Sequence, residues 1–206
     1  GVIRPWLGAT FQTLTSDLAE SFDMDRPGGA LITELHSRSP LKQAGLQIGD
    51  VIIALNEKPL RDPGELKFRM ATIPLGEKAE ITILQSGKEE IVTITAQAPP
   101  EDPPRNTSTL SGKHPLNGLE VSNINPALSH ELGLTEDTGV VVSGGNSQNR
   151  FFNVAHTGDI IVAINGEPIS SVKTLQNILD QMSTEGRNAW QITMNRQGQV
   201  RQVVVR

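Results

Sequence analysis

Two acidic residues stand in matching places, Asp50 in Gly49-Asp50-Val51-Ile52 and Asp159 in Gly158-Asp159-Ile160-Ile161. Carboxylates invite an acid–base reading. An Asp that follows Gly in a turn, however, accepts hydrogen bonds from local amides, and that structural role is the one expected. A serine nucleophile needs a His and an Asp brought to it. Ser147 lies in Gly144-Gly145-Asn146-Ser147, read here as a loop, and the order of the chain puts none of His36, His114, His130 and His156 in such a context. No His-x-x-x-His or Glu-x-x-His pair offers metal ligands, and no Gly-rich phosphate loop is present. Cysteine is absent, which excludes a thiolate nucleophile, a thiolate zinc site and a disulfide framework. The chain is therefore expected to hold no catalytic residue, no metal and no cofactor.

The elements that would position any site come in two sets. Gly49-Asp50, Asn56 and Pro59 recur as Gly158-Asp159, Asn165 and Pro168, each 109 residues further on. Upstream, Gly8, Leu18 and Phe22 match Gly118, Leu128 and Leu132; downstream, Ile81 and Gly87 match Ile192 and Gly198. The 206 residues are thus two copies of one fold rather than one mid-sized domain. The domains are placed at 1–95 and 116–206. Between them, Pro99, Pro100, Pro103 and Pro104 favour extended backbone, and 96–115 is read as a linker.

Composition bounds the rest. Hydrophobic residues make up 36%, enough for packed cores, but aromatics are only 3%, so those cores must be built from Ile, Val, Leu and Ala. A net charge of −5 argues against a nucleic-acid binder. No apolar run approaches the roughly 18 residues of a membrane span. The chain opens at Gly1 without Met and is read as a fragment or processed product.

Within the first copy, 7–14 reads as a strand and 16–22 as a helix capped by Thr15 or Ser16. A short strand at 30–35 and a short helix at 40–44 follow. The apolar strand 51–55 is expected to be buried on both faces. Asp62-Pro63 opens a helix to about Ala71, and 79–85 with 90–95 alternate as a hairpin around Gly87. The expected fold class is mainly β with α (α+β): two small antiparallel barrels or sandwiches, each with about two helices.

These motifs resemble the bacterial PDZ family. In tandem, with Arg4-Pro5-Trp6-Leu7-Gly8-Ala9 opening the first copy and His114-Pro115-Leu116-Asn117-Gly118-Leu119 the second, they resemble the C-terminal half of HtrA/Do-type serine proteases. The resemblance implies capture of a peptide's carboxyl terminus as an added strand. Arg4, Leu7, Gly8 and Ala9 would bind the carboxylate. Phe11, Leu66 and Met70 would form the pocket for the last side chain, and a Glu at Met70 is expected to weaken binding while leaving the fold intact. In the second copy, Asn117, Gly118, Leu119, Leu175 and Leu179 are the candidate pocket. Phe151 and Phe152 are candidate assembly contacts.

The implied role is a regulatory peptide-binding module of a trypsin-like serine endopeptidase whose protease domain is not in this chain. It would serve protein quality control in the bacterial periplasm. Its implied partners are C-termini of unfolded proteins, its own protease domain and further copies of itself, with no nucleic acid and at most peripheral contact with a membrane. The alternative is a module mainly for oligomer assembly, with incidental peptide binding.

Overall fold

A computed structural model describes residues 3–25, 27–145 and 155–206. The chain forms two units, 1–99 and 100–206, each with its own sheet and its own core.

The first unit contains strands β1 (Ala9–Thr13), β2 (Ala30–Leu35), β3 (Val51–Leu55), β4 (Lys58–Pro59), β5 (Lys78–Gln85) and β6 (Lys88–Thr95), with helices α1 (Ser16–Ser21), α2 (Pro40–Gln43) and α3 (Pro63–Met70). The sheet is antiparallel in the order β1-β2-β3-β5-β6, with β4 paired to β3. Thr15 caps α1 and Asp62 caps α3, each through a side-chain oxygen that accepts an amide of the first turn. The apolar run of β3 has a clear cause. Ile52 and Leu55 enter a core with Leu41, Leu66 and Met70 of α2 and α3, while Val51 enters a second core with Leu14 and Ala19 beside α1. A sheet covered on both faces has no polar positions to spare along its central strand.

The second unit repeats this plan with β7 (Ser108–Thr109), β8 (Leu119–Asn123), α4 (Pro126–Leu132), β9 (Val140–Gly145), β10 (Ile160–Ile164), β11 (Glu167–Pro168), α5 (Val172–Thr184), β12 (Trp190–Arg196) and β13 (Gln199–Val205). Its order is β13-β12-β10-β9-β8-β7, with β11 on β10. Val140 and Val142 face the core under α5, and Val141 the smaller core under α4.

The repeated residues are accounted for by local geometry. Asp50 accepts the Gln47 amide, and Asp159 the His156 amide, both at 2.8 Å. Gln85 donates to Asp50, whereas its counterpart Arg196 makes two 2.8 Å bonds to Asp159. Burial alone would raise the Asp159 pKa; the Arg196 guanidinium and the His156 amide outweigh it and hold the carboxyl below the ordinary range. Asn56 and Asn165 have φ of 48° and 49°, a left-handed turn that Asn tolerates. Each side chain also accepts an amide from the neighbouring strand, Glu80 at 2.9 Å and Gln191 at 2.7 Å.

The segment expected as a linker lies partly in each unit. The Ala96 amide donates to Glu77, and the Gln97 carbonyl accepts from Trp6. From Pro100 onward the chain is held by the second unit: Arg105 reaches Glu101 and Glu131, and the Asn125 side chain donates to the Pro103 carbonyl. Short polar side chains, Asn123 on β8 and Asn125 capping α4, thus satisfy the Pro104 and Pro103 carbonyls of this proline-rich backbone.

Candidate functional site

In the first unit, β1 ends the sheet, so one of its edges pairs with no strand among the described residues. The turn leading into β1 is tightly set. The buried Ser39 hydroxyl donates to the Leu7 carbonyl at 2.6 Å, and the His36 amide donates to the Gly8 carbonyl at 2.8 Å. A trans peptide plane directs its N–H opposite its C=O. Fixing the Leu7 and Gly8 carbonyls against Ser39 and β2 therefore turns the Gly8 and Ala9 amides the other way. The Leu7 and Gly8 amides donate to no backbone carbonyl of the described residues. Two oriented amides at a turn form an anion-binding concavity.

Gly8 is required on two counts. Its φ is +62°, and a Cβ would lie 2.8 Å from the Trp6 ring and 3.0 Å from the Ser39 backbone. The Trp6 ring, packed edge-on against His36 with centroids 5.1 Å apart, forms the floor of the turn. Arg4 is exposed, four residues before Gly8.

The structure brings Leu7, Leu66 and Met70 into one buried cluster, with Ala9 and Phe11 half-buried against it. Leu66 is 0% exposed and Met70 2%, so both belong to the core of the unit as well as to the helix beside β1. That corrects the expectation that Met70 tolerates a charge. A cavity of about 760 Å³ lies elsewhere in this unit, lined by Met24, Gly28, Ile53, Leu60 and Ile91 among others, and none of the groove residues borders it.

Three residues that hold the site were not singled out in the sequence. Ser39 and His36 orient the turn. Arg69 clamps α3 to the β3–β4 hairpin, donating to the carbonyls of Lys58 at 3.0 Å, Pro59 at 3.3 Å and Leu55. Their only trace in the sequence is composition: a Ser before Pro40 as a helix cap, and a cation in the last turn of a helix.

The second unit differs. Leu119, Leu175 and Leu179 join one core and Gly118 takes φ of +88°, as the repeat requires. Asn117 is exposed and its side chain accepts the Gly112 amide at 3.1 Å. The edge of β8, however, is paired: β7 lies antiparallel on it, Ser108 opposite Val121 and Thr109 opposite Glu120. Phe151, Phe152 and Ser147 lie outside the described residues. No group of three or more metal-ligating side chains forms among the described residues.

Comparison with known proteins gives three findings. Residues 5–96 match the PDZ domain family. The chain is 33% identical over 184 residues to a "Probable periplasmic serine endoprotease DegP-like" of Ectopseudomonas mendocina (strain ymp), covering 88% of this chain and 39% of that protein. A protein of the same name from Rhizobium meliloti (strain 1021) is 31% identical over 193 residues, covering 91% and 38%. The chain thus spans about two-fifths of the length of these relatives. Among solved structures, the HtrA-type protease AlgW with decapeptide is 29% identical with a TM-score of 0.43, covering 48% of this chain and 30% of that one.

Proposed function

Residues 5–96 are a PDZ domain, and the chain is homologous over most of its length to DegP-like periplasmic serine endoproteases; on that premise we propose that the first unit captures the carboxyl terminus of a peptide. The peptide adds as a strand to the open edge of β1. Its carboxylate sits against the amides of Gly8 and Ala9, with Leu7 beside them, and Arg4 adds a long-range attraction. Its last side chain packs on Phe11 and Ala9, over the wall backed by Leu66 and Met70. The observation that carries this reading is the pair of peptide planes fixed through their carbonyls by Ser39 and His36. Such amides need no reorganisation when an anion arrives.

The relatives support a larger reading. We read the chain as the regulatory peptide-binding part of a periplasmic serine endopeptidase, presenting exposed C-termini of unfolded proteins to a protease domain. Titration of fluorescent peptides with an apolar last residue tests the core of it. The free-carboxylate form should bind at least about tenfold more tightly than the same peptide amidated, since charge-assisted hydrogen bonds are worth roughly 1.5–3 kcal/mol. Equal affinity of the two forms would exclude carboxylate capture.

A further inference from the structure

The second unit already holds a strand where the first has an open edge. We propose that residues 105–110 are a built-in ligand of the second unit, and that its groove takes an outside peptide only after they leave. This concerns a different site from the one above, and it rests on that reading in taking the edge of β1, the counterpart of β8, as a peptide groove.

Four observations carry the inference. First, β7 occupies the edge of β8, and β8 is the repeat counterpart of β1. Second, the main-chain bonds are those a bound peptide would make. The Leu110 amide donates to the Leu119 carbonyl at 2.8 Å, and the Gly118 amide donates to the Leu110 carbonyl at 2.7 Å. Gly118 is the counterpart of Gly8, so the amide that faces outward in the first unit is here spent on an internal peptide carbonyl. Third, Leu110 is 2% exposed, in one cluster with Leu116, Leu119, Leu175 and Leu179. It fills the place of a ligand's last side chain.

Fourth, the segment is fastened at both ends. Upstream, the Arg105 carbonyl accepts the Asn123 amide at 2.6 Å, the Arg105 guanidinium pairs with Glu101 and Glu131, and Thr107 shares a 2.8 Å hydroxyl bond with Ser122. Downstream the chain must turn away, because an internal segment has no carboxylate at which to stop. Gly112 makes that turn at φ +141°, its amide held by Asn117, and the Ser183 hydroxyl donates to the Lys113 carbonyl at 3.2 Å.

A tethered ligand competes at an effective concentration on the order of millimolar. An outside peptide meets only the fraction of molecules whose segment has left, and its apparent affinity falls by that fraction. The segment also names the class of ligand the groove accepts: an extended, hydroxyl-rich strand ending in leucine.

Hydrogen exchange on the whole 206-residue chain, with a synthetic peptide of residues 105–110 bearing a free carboxylate, tests this. In the unaltered chain the amides of Leu110, Gly118 and Asn123 should exchange slowly, and the peptide should change nothing at β8. Leu110→Ser should speed exchange at 118–123 and restore protection on adding peptide, with apparent affinity at least about tenfold stronger than for the unaltered chain. Arg105→Ala, which removes surface ion pairs and leaves the core intact, should act in the same direction and serves if Leu110→Ser fails to fold. Thr109→Cys with Glu120→Cys, oxidised in a chain without other cysteines, should keep the groove closed. Rapid exchange of β8 in the unaltered chain, or equal peptide affinity at β8 in all forms, would overturn the proposal. Because exchange is read by segment, binding at β1 is scored separately.

Discussion

Ser39 does two jobs with one oxygen: it donates to the Leu7 carbonyl and accepts the amides of Leu41 and Lys42 at 3.1 and 3.4 Å, capping α2. Ser39→Ala should cost about 1–2 kcal/mol of stability through the lost cap. Released from the hydroxyl, the Leu7–Gly8 peptide plane is free to rotate, so the advantage of a free carboxylate over an amide should shrink several-fold. The paired titration reads this; a merely structural role would lower both affinities alike. Nothing in the string Arg38-Ser39-Pro40 points to a carbonyl 32 residues earlier. Gly8, by contrast, is legible from its repeat with Gly118, although the Trp6 ring that forbids a Cβ there is not.

At the level of elements, α3 behaves as a strut rather than a lip. Asp62 caps it, Arg69 ties its last turn to three carbonyls of the β3–β4 hairpin, and Leu66 and Met70 are sunk in the core. Met70→Glu would bury an unpaired carboxylate, a cost of several kcal/mol. The first unit should therefore lose its cooperative unfolding transition, whatever happens to peptide binding. Phe11→Ala is the informative change, since Phe11 is half-buried on β1: affinity for an apolar last residue should drop about five- to tenfold, while the unit keeps its cooperative transition at a melting temperature lower by roughly a few degrees. The helical spacing of Leu66 and Met70 was readable in the sequence. Spacing marks the apolar face of a helix and not how much of it a neighbour covers.

On the scale of the whole chain, each unit has its own sheet and its own core, and the second holds a half-buried histidine. His114 sits in the turn between the built-in strand and Leu116, its ring 6.2 Å from that of Trp190. Burial pushes its pKa down, against the pull of the Ser111 carbonyl and the Asp180 charge, and its Nδ1 has no partner among the described residues. A lowered folded pKa means that the unfolded chain takes the proton first. The contribution is thus whole above about pH 6.5 and is lost as pH falls through the folded value. The second unit should melt at a lower temperature at pH 5 than at pH 7, with that difference reduced in His114→Gln. A His114 titration midpoint at or above 6.5, followed by NMR, would contradict this.

Repeated Gly-Asp, Asn and Pro residues, apolar spacing and helix caps fixed the two copies, their elements and the PDZ resemblance, because each is a local demand of the backbone or of burial. It was the resemblance those patterns carry, not the patterns themselves, that implied Leu7, Gly8, Phe11, Leu66 and Met70 around one strand and one helix. Tertiary structure alone decided that Ser39 aims the Leu7–Ala9 turn, that Met70 is core, and that residues 105–110 close the edge of β8. Prolines and small hydroxyl residues look like a tether in sequence because they carry no apolar period. Only a partner surface supplying amides and carboxylates, here from Asn123, Asn125, Glu131 and Gly118, turns such a segment into a strand.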